Sequence, residues 1–353
     1  MYTRRMYSPR QMLAWTRFEL ALFLALSALV VVLNHVLGFK WAHLPWLPIA
    51  LVGTAVAFIL GFQNSAAYDR AWEARKIWGG IVNSSRAFGT MVNDFISDQY
   101  AATPVAPEAL AAERRELVGR HIAWMTALRH ALRQRKPWEE FDAHRTNREW
   151  TERIGVHEHA VPLEQDLENL MPIENCDEVR AKTNLATQIM GLQSRHIARL
   201  HREGLMNDYQ QVAFQGVIGD LIAEQGKSER IKNFPYPRQY ATLNRLFMWI
   251  FVLLVPFGTI DAFIDFGAEI DAFHPEVAPN LVWLNVPFAA LVMWIFHTTE
   301  RIGRVTENPF EGGANDVPIT TISRGIEIDL LEMIGEDPAN IPPPVEPHDD
   351  VQS

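Results

Sequence analysis

A single cysteine, Cys176, stands in the chain, so no disulfide can form within it and no cysteine-based metal site can be built. There is no GxSxG, Walker A or GxGxxG pattern, and the one close pair of histidines in a metal-like context, His157-Glu158-His159, lacks the HExxH spacing that puts two ligands on one helical face. His196 and His201 are five apart and fall on different faces of a helix. No enzyme class, cofactor or metal site therefore has positive support. No predicted helix carries an unbroken basic stripe, which argues against a nucleic-acid partner. The chain also shows no internal repeat. Lys and Arg are absent from the stretch Asp265–Glu276, which holds four carboxylates.

Charge is unevenly spread: the chain is 48% hydrophobic yet 21% charged. Uncharged apolar runs sit near both ends, while residues 63–240 are rich in Arg and Glu. This predicts an all-α integral membrane protein with four transmembrane helices and a large helical cytosolic region. The first span is expected at Phe18–Gly38, the second from Trp46, the third at Leu246–Ile264 and the fourth at Leu281–Phe296. Pro256 and Pro287 are expected to kink the third and fourth. Arginines before the first span, through the middle and after the fourth place both termini and the middle in the cytosol. The N-terminal run is read as retained, because no small-residue cleavage site closes it.

The second helix organises the rest. Its apolar part ends at Phe62, but the helical spacing continues through Trp72, Trp78, Phe88 and Phe95, so one helix leaves the membrane and extends to about Ile96. Thr54, Phe58 and Phe62 share one face at i, i+4 and i+8. Two readings of this stripe stand: packing on a neighbouring helix of the same subunit, or an apolar constriction around a symmetry axis that gates by wetting. Further along, a helix opens at Pro107 and closes before Pro137, residues 137–172 read as irregular with short helices, and one helix is expected from Asp177 to Glu203. Asn207 and Asp208 cap the next, to about Ile231. A last helix, Thr321–Ile334, ends at Gly335. The organisation is thus 1–62, N-terminal segment and first two spans; 63–240, cytosolic region; 241–304, last two spans; 305–336, loop and final helix; and 337–353, a Pro-rich acidic tail expected to be disordered and solvated.

Three stretches together, GFQNSAAYDRAWEAR, the PYPRQY connector and ENPFEGGANDVP followed by an acidic amphipathic helix, resemble the bestrophin family in its bacterial form, over roughly residues 10–335. The resemblance implies a homopentameric ion channel with a central pore, whose second helix lines a hydrophobic neck and whose cytosolic part forms a second constriction. It puts the neck on Thr54, Phe58 and Phe62, with Thr54 where the family has an apolar residue, which makes that ring more polar. It puts the cytosolic aperture at Tyr209, where the family has a small aliphatic side chain, so that either the ring is tighter or the match is off by a few residues. The acidic run that forms the calcium clasp of animal members is reduced here to Glu311 and Asp316, which predicts no calcium activation.

The partners implied are four further copies, membrane lipid and small monovalent ions. Ion sign stays open, with a slight lean to cations. Asp69 and Glu73 continue the neck face and would line an acidic vestibule, unless Glu73 only pairs with Lys76; Arg70 and Arg75 argue for anions. The alternative function is a non-conducting membrane scaffold whose cytosolic helices dock a partner.

Overall fold

The computed structural model describes residues 1–139, 144–168 and 170–353, and every regular element among them is helical. Four helices are long and apolar enough to cross a membrane: Arg17–Val36, Trp46–Phe95, Arg238–Asp271 and Ala278–Thr306. The short helix α1 (Pro9–Trp15) precedes the first. Ser8 caps it, accepting from the Gln11 amide while the Gln11 side chain accepts from Ser8 N–H. The first span is α2 (Arg17–Val31), which widens into a π turn over Val32–Val36.

The second span is α3 (Trp46–Phe95), a single helix of 50 residues, about 75 Å long. It packs against α11 (Arg238–Asp271) through small residues: a Cβ on Gly53 would lie 2.5 Å from the Phe251 ring, and one on Gly258 2.5 Å from Ile49. Such close approach is how helices gain packing where lipid removes the hydrophobic drive to associate. Pro256 cannot donate to the Val252 carbonyl. Even so, α11 runs unbroken through it, and the fully buried Asn285 donates to the Pro256 carbonyl at 3.2 Å and accepts from Thr259 Oγ1 at 2.6 Å. Pro287 does not act as a kink. It is the third residue of α12 (Asn285–Thr306), whose first-turn N–H groups have no intrahelical partner, and a 3₁₀ turn (Ala278–Leu284) leads into it.

Beyond Gln63, α3 enters a polar unit made of α4 (Pro107–Arg133), α5 (Arg145–Ile154), α6 (His157–Ala160), α7 (Leu163–Leu167), α8 (Ile173–Arg180), α9 (Leu185–Arg202), α10 (Asp208–Asn233) and α13 (Ile319–Met333). Its core is built on Trp78, Phe88, Trp124, Leu128, Phe214 and Ile326. The helix expected from Asp177 to Glu203 is two: α8 ends at Arg180 and Asn184 starts α9, its side chain accepting from Thr187 N–H. Asn207 and Gln210 form a capping box on α10, as the sequence suggests for Asn207.

Arg301, fully buried near the end of α12, ties the spans to the polar unit. It donates to Trp15 O at 2.9 Å, Glu19 Oε1 at 3.1 Å, Asn147 Oδ1 at 2.9 Å and Thr146 Oγ1, and its guanidinium lies 4.1 Å from the Trp15 ring centroid. The tail is not a free end. Val351 is buried with Ile154, Ala314, Tyr2 and Trp150, Thr3 N–H donates to Asp350 O at 2.8 Å, and Arg4 pairs with Asp350 at 2.8 Å. Its average composition hides one apolar anchor and one carboxylate that match the N-terminal segment.

Candidate pore face of the long helix

The helical period separates α3 into two faces. Ile49, Gly53, Val56, Leu60, Gln63, Ala67, Ala74 and Ile77 are buried, whereas Leu47, Leu51, Thr54, Phe58, Phe62, Ser65, Asp69, Trp72 and Lys76 are exposed. Phe58 is 69% and Phe62 63% exposed. Their rings meet edge to face, 4.7 Å apart at 88°. Packing within the subunit, one of the two readings of this stripe, is therefore excluded: no described element of the chain covers it. Thr54 is exposed on the same stripe, but its hydroxyl donates to the Ala50 carbonyl at 2.9 Å. It thus presents a methyl group and oxygen lone pairs, a milder change in polarity than a free hydroxyl.

Lower on this face the carboxylates diverge. Asp69 is exposed, while Glu73 pairs with Lys76 at 2.6 Å. Arg75 lies 5.7 Å from the Trp72 ring centroid, and Trp72 stacks on Tyr68 at 6.2 Å. Those three residues and Asn64 line, with Ile302 and Thr306 of α12 and the loop that follows it, a groove of about 820 Å³ to one side of this stripe. Arg70 turns inward instead. It donates to the carbonyls of Glu307 at 2.7 Å, Phe234 at 2.9 Å and Ile231 at 3.1 Å, holding the C-terminal ends of α10 and α12 against α3.

Tyr209 is the second residue of α10 and 87% exposed. Val212, one turn on, is 71% exposed on the same side. The sequence reading did not single out Val212; the signal available was the small aliphatic type at i+3 from Tyr209.

The loop between α12 and α13 is closed around its own carboxylate. Asp316 accepts from Phe310 N–H at 2.7 Å, Val317 N–H at 2.6 Å and Gly312 N–H at 2.7 Å, and Arg133 pairs with it at 3.3 Å. Phe310 and Gly312 have φ of 78° and 90°, the left-handed turn that lets these amides converge. Burial, with Glu139 adding to it, raises the Glu311 carboxyl well above the usual range. Burial of Glu311, which disfavours its charged form, and an Asp316 already engaged make this loop a poor calcium site.

The histidines have other partners. His157 pairs with Asp166 at 2.9 Å, and the buried Glu158 binds Arg129, Arg133 and Thr320. Burial opposes ionisation of Glu158, but the two guanidiniums prevail and hold its pKa at about 2. His196 does meet carboxylates across helices: its Nε2 lies 2.6 Å from Glu113 Oε2 and its Nδ1 3.5 Å from Glu116 Oε1. These three side chains are spaced as metal ligands. Arg199 occupies the Glu113 oxygen at 2.7 Å, however, and Arg120 holds Glu116 and lies 2.7 Å from His196 Nδ1. Guanidinium groups already supply the positive charge there.

Four helices long and apolar enough to span a membrane, a polar unit built around the extension of the second, and a face on that helix that no described element covers define an all-helical membrane protein. The family model described as bacterial/fungal bestrophin protein matches residues 11–269, and the chain belongs to that family. Among its relatives is a voltage-dependent anion channel-forming protein of Ralstonia nicotianae, 28% identical over 93% of this chain and 92% of the relative. Another is YneE of Escherichia coli, also named a voltage-dependent anion channel-forming protein, 25% identical over 88% of this chain and 82% of its own length. The crystal structure of a bacterial bestrophin homologue from Klebsiella pneumoniae superposes with a TM-score of 0.69 at 23% identity, covering 91% of this chain and 99% of that one.

Proposed function

We propose that five copies of this chain assemble in the bacterial inner membrane, with both termini in the cytosol, as a channel that passes small monovalent anions passively. The observation that carries this reading is the stripe of α3 left open by its own subunit, with Phe58 and Phe62 at its centre. Around an axis, five such stripes make a narrow apolar neck through Thr54, Phe58 and Phe62, where small changes in ring packing decide whether water enters. The groove beside Tyr68 and Trp72 then takes the neighbouring copy. A second constriction forms at Tyr209 and Val212, with Val212 supplying the small aliphatic ring.

The anion reading replaces the lean to cations. The relatives are named for anions, and Glu73 and Lys76 offset each other in an ion pair, so the acidic vestibule is reduced to Asp69, with the exposed Arg75 nearby on the same helix. The test is the reversal potential of the purified protein in planar bilayers under a KCl gradient, alongside Phe58→Ala/Phe62→Ala. A reversal near the chloride equilibrium value, with larger current in the double variant, is expected. Reversal near the potassium value would overturn the anion assignment, and absence of current from a folded oligomer would favour the scaffold.

A further inference from the structure

At the foot of the first span two guanidiniums are held over one exposed aromatic ring. Arg17 lies 4.5 Å and Arg145 5.2 Å from the Phe18 centroid. Phe18 is the second residue of α2, and Arg145 opens α5, so the pair brings together segments far apart in sequence. Glu149 bridges them, accepting from Arg17 at 2.6 Å and from Arg145 Nε at 3.0 Å. That leaves the Arg145 terminal nitrogens without a protein acceptor among the described residues. Arg148, one turn along α5, is exposed and has no ion-pair partner among them. Arg17 and Arg145 thus share one carboxylate, the exposed Arg148 and Glu152 follow along α5, and Asp349 and Asp350, paired with Arg153 and Arg4, line the pocket on the other side of Arg17.

Above the ring, the exposed side of α2 is apolar. Phe18, Leu22 and Leu29 recur at i, i+4 and i+11, and all three are exposed. From Phe18 to Leu29 this stripe rises about 16 Å, the depth of one leaflet of a ~30 Å hydrocarbon core. Its base is cationic and its length is apolar. That is the charge pattern of an anionic phospholipid in the cytosolic leaflet, where basic residues beside a span attract such headgroups.

We propose that Arg145 and Arg148, with Arg17 over Phe18, bind the phosphate group of an anionic phospholipid whose acyl chain lies along Phe18, Leu22 and Leu29. Guanidinium suits this task because its planar donors match a phosphate in pairs. The lipid then fastens α2 to α5, and so the membrane to the polar unit, on the outer side of the assembly. This rests on the membrane reading above but not on conduction.

The test uses the full chain in nanodiscs of equal phosphatidylcholine and phosphatidylglycerol, with bound lipids counted by native mass spectrometry. Wild type is expected to retain phosphatidylglycerol preferentially. Arg145→Gln/Arg148→Gln should reduce that retention about fivefold per arginine while the oligomer and its Tm persist. Arg145→Lys/Arg148→Lys should restore part of it, and excess inorganic phosphate should not displace the lipid, because the acyl chain contributes to binding. Equal retention by wild type and the glutamine variant would overturn the proposal. So would efficient bismaleimide crosslinking of Phe18→Cys between copies in a Cys176→Ser background, because a second copy would then cover the stripe. These outcomes do not depend on whether the protein conducts, so they separate failure of the lipid site from failure of the channel reading.

Discussion

The covered and uncovered faces of α3 change differently along its length. The covered face is mainly apolar along its whole length, from Ile49, Val56 and Leu60 among the spans to Trp78, Phe88 and Val92 in the polar unit, with the buried Gln63 and Ser85 hydrogen-bonded to Asn244 and His121. The uncovered face switches, from Leu47, Leu51, Phe58 and Phe62 to Ser65, Asp69 and Lys76. A core must exclude water whatever surrounds the subunit, so the covered face reports the fold. The uncovered face answers to what lies beyond the subunit, and its switch past Phe62 coincides with the entry of α3 into the polar unit.

Substitutions that act on packing should therefore alter stability, and those on the open face should alter conduction. The largest effect is expected at Arg301. Arg301→Ala leaves Glu19 and several buried acceptors without their cation, at a cost of about 3–5 kcal/mol, read as a lowered Tm or loss of the folded oligomer.

Next is His121, fully buried, hydrogen-bonded to Ser85 Oγ at 2.9 Å and stacked on Phe88. Burial pulls its pKa to about 3. The unfolded chain, with an ordinary histidine near 6.5, takes up the proton first, so this contribution is intact above about pH 6.5. Below that it falls by about 1.4 kcal/mol per pH unit down toward 3. Chemical denaturation at a series of pH values should show this slope, and His121→Phe should flatten it.

On the covered face, Gly53→Val drives a side chain into the Phe251 ring and should cost about 1–3 kcal/mol in thermal unfolding. Asp316→Ala removes the acceptor shared by Phe310, Gly312 and Val317. It should speed amide exchange across residues 310–317 while changing global stability by about 1–3 kcal/mol. Phe58→Ala should be the mildest for the folded subunit, because the ring is mostly outside its core, yet the strongest for current. A large stability loss at Phe58 without a change in conductance would break the distinction between the faces.

Much of this fold is legible in the sequence because it rests on local periodicity. The 3.6-residue spacing carries α3 to Phe95, and Asn207 marks the start of α10. The break before α9 is less visible: Ala181-Lys182-Thr183 contains neither Pro nor Gly, and only Asn184 hints at a new start. The Arg301 cluster is illegible, since it joins Trp15, Glu19, Thr146 and Asn147 from distant segments. The docked tail is illegible for the same reason. For the candidate site, spacing puts Thr54, Phe58 and Phe62 on one face, but only the packed subunit reveals that the face is left open. That Val212 is exposed beside Tyr209 is not legible either, because periodicity alone does not say which side of α10 is covered.

The most direct test is accessibility of single cysteines placed on α3 in a Cys176→Ser background. A charged, membrane-impermeant thiol reagent should block current through Thr54→Cys and Phe58→Cys channels and leave Val56→Cys and Leu60→Cys channels unchanged. Blockage at Val56 and Leu60 with none at Thr54 and Phe58 would contradict the assignment of the open face of α3 to the pore.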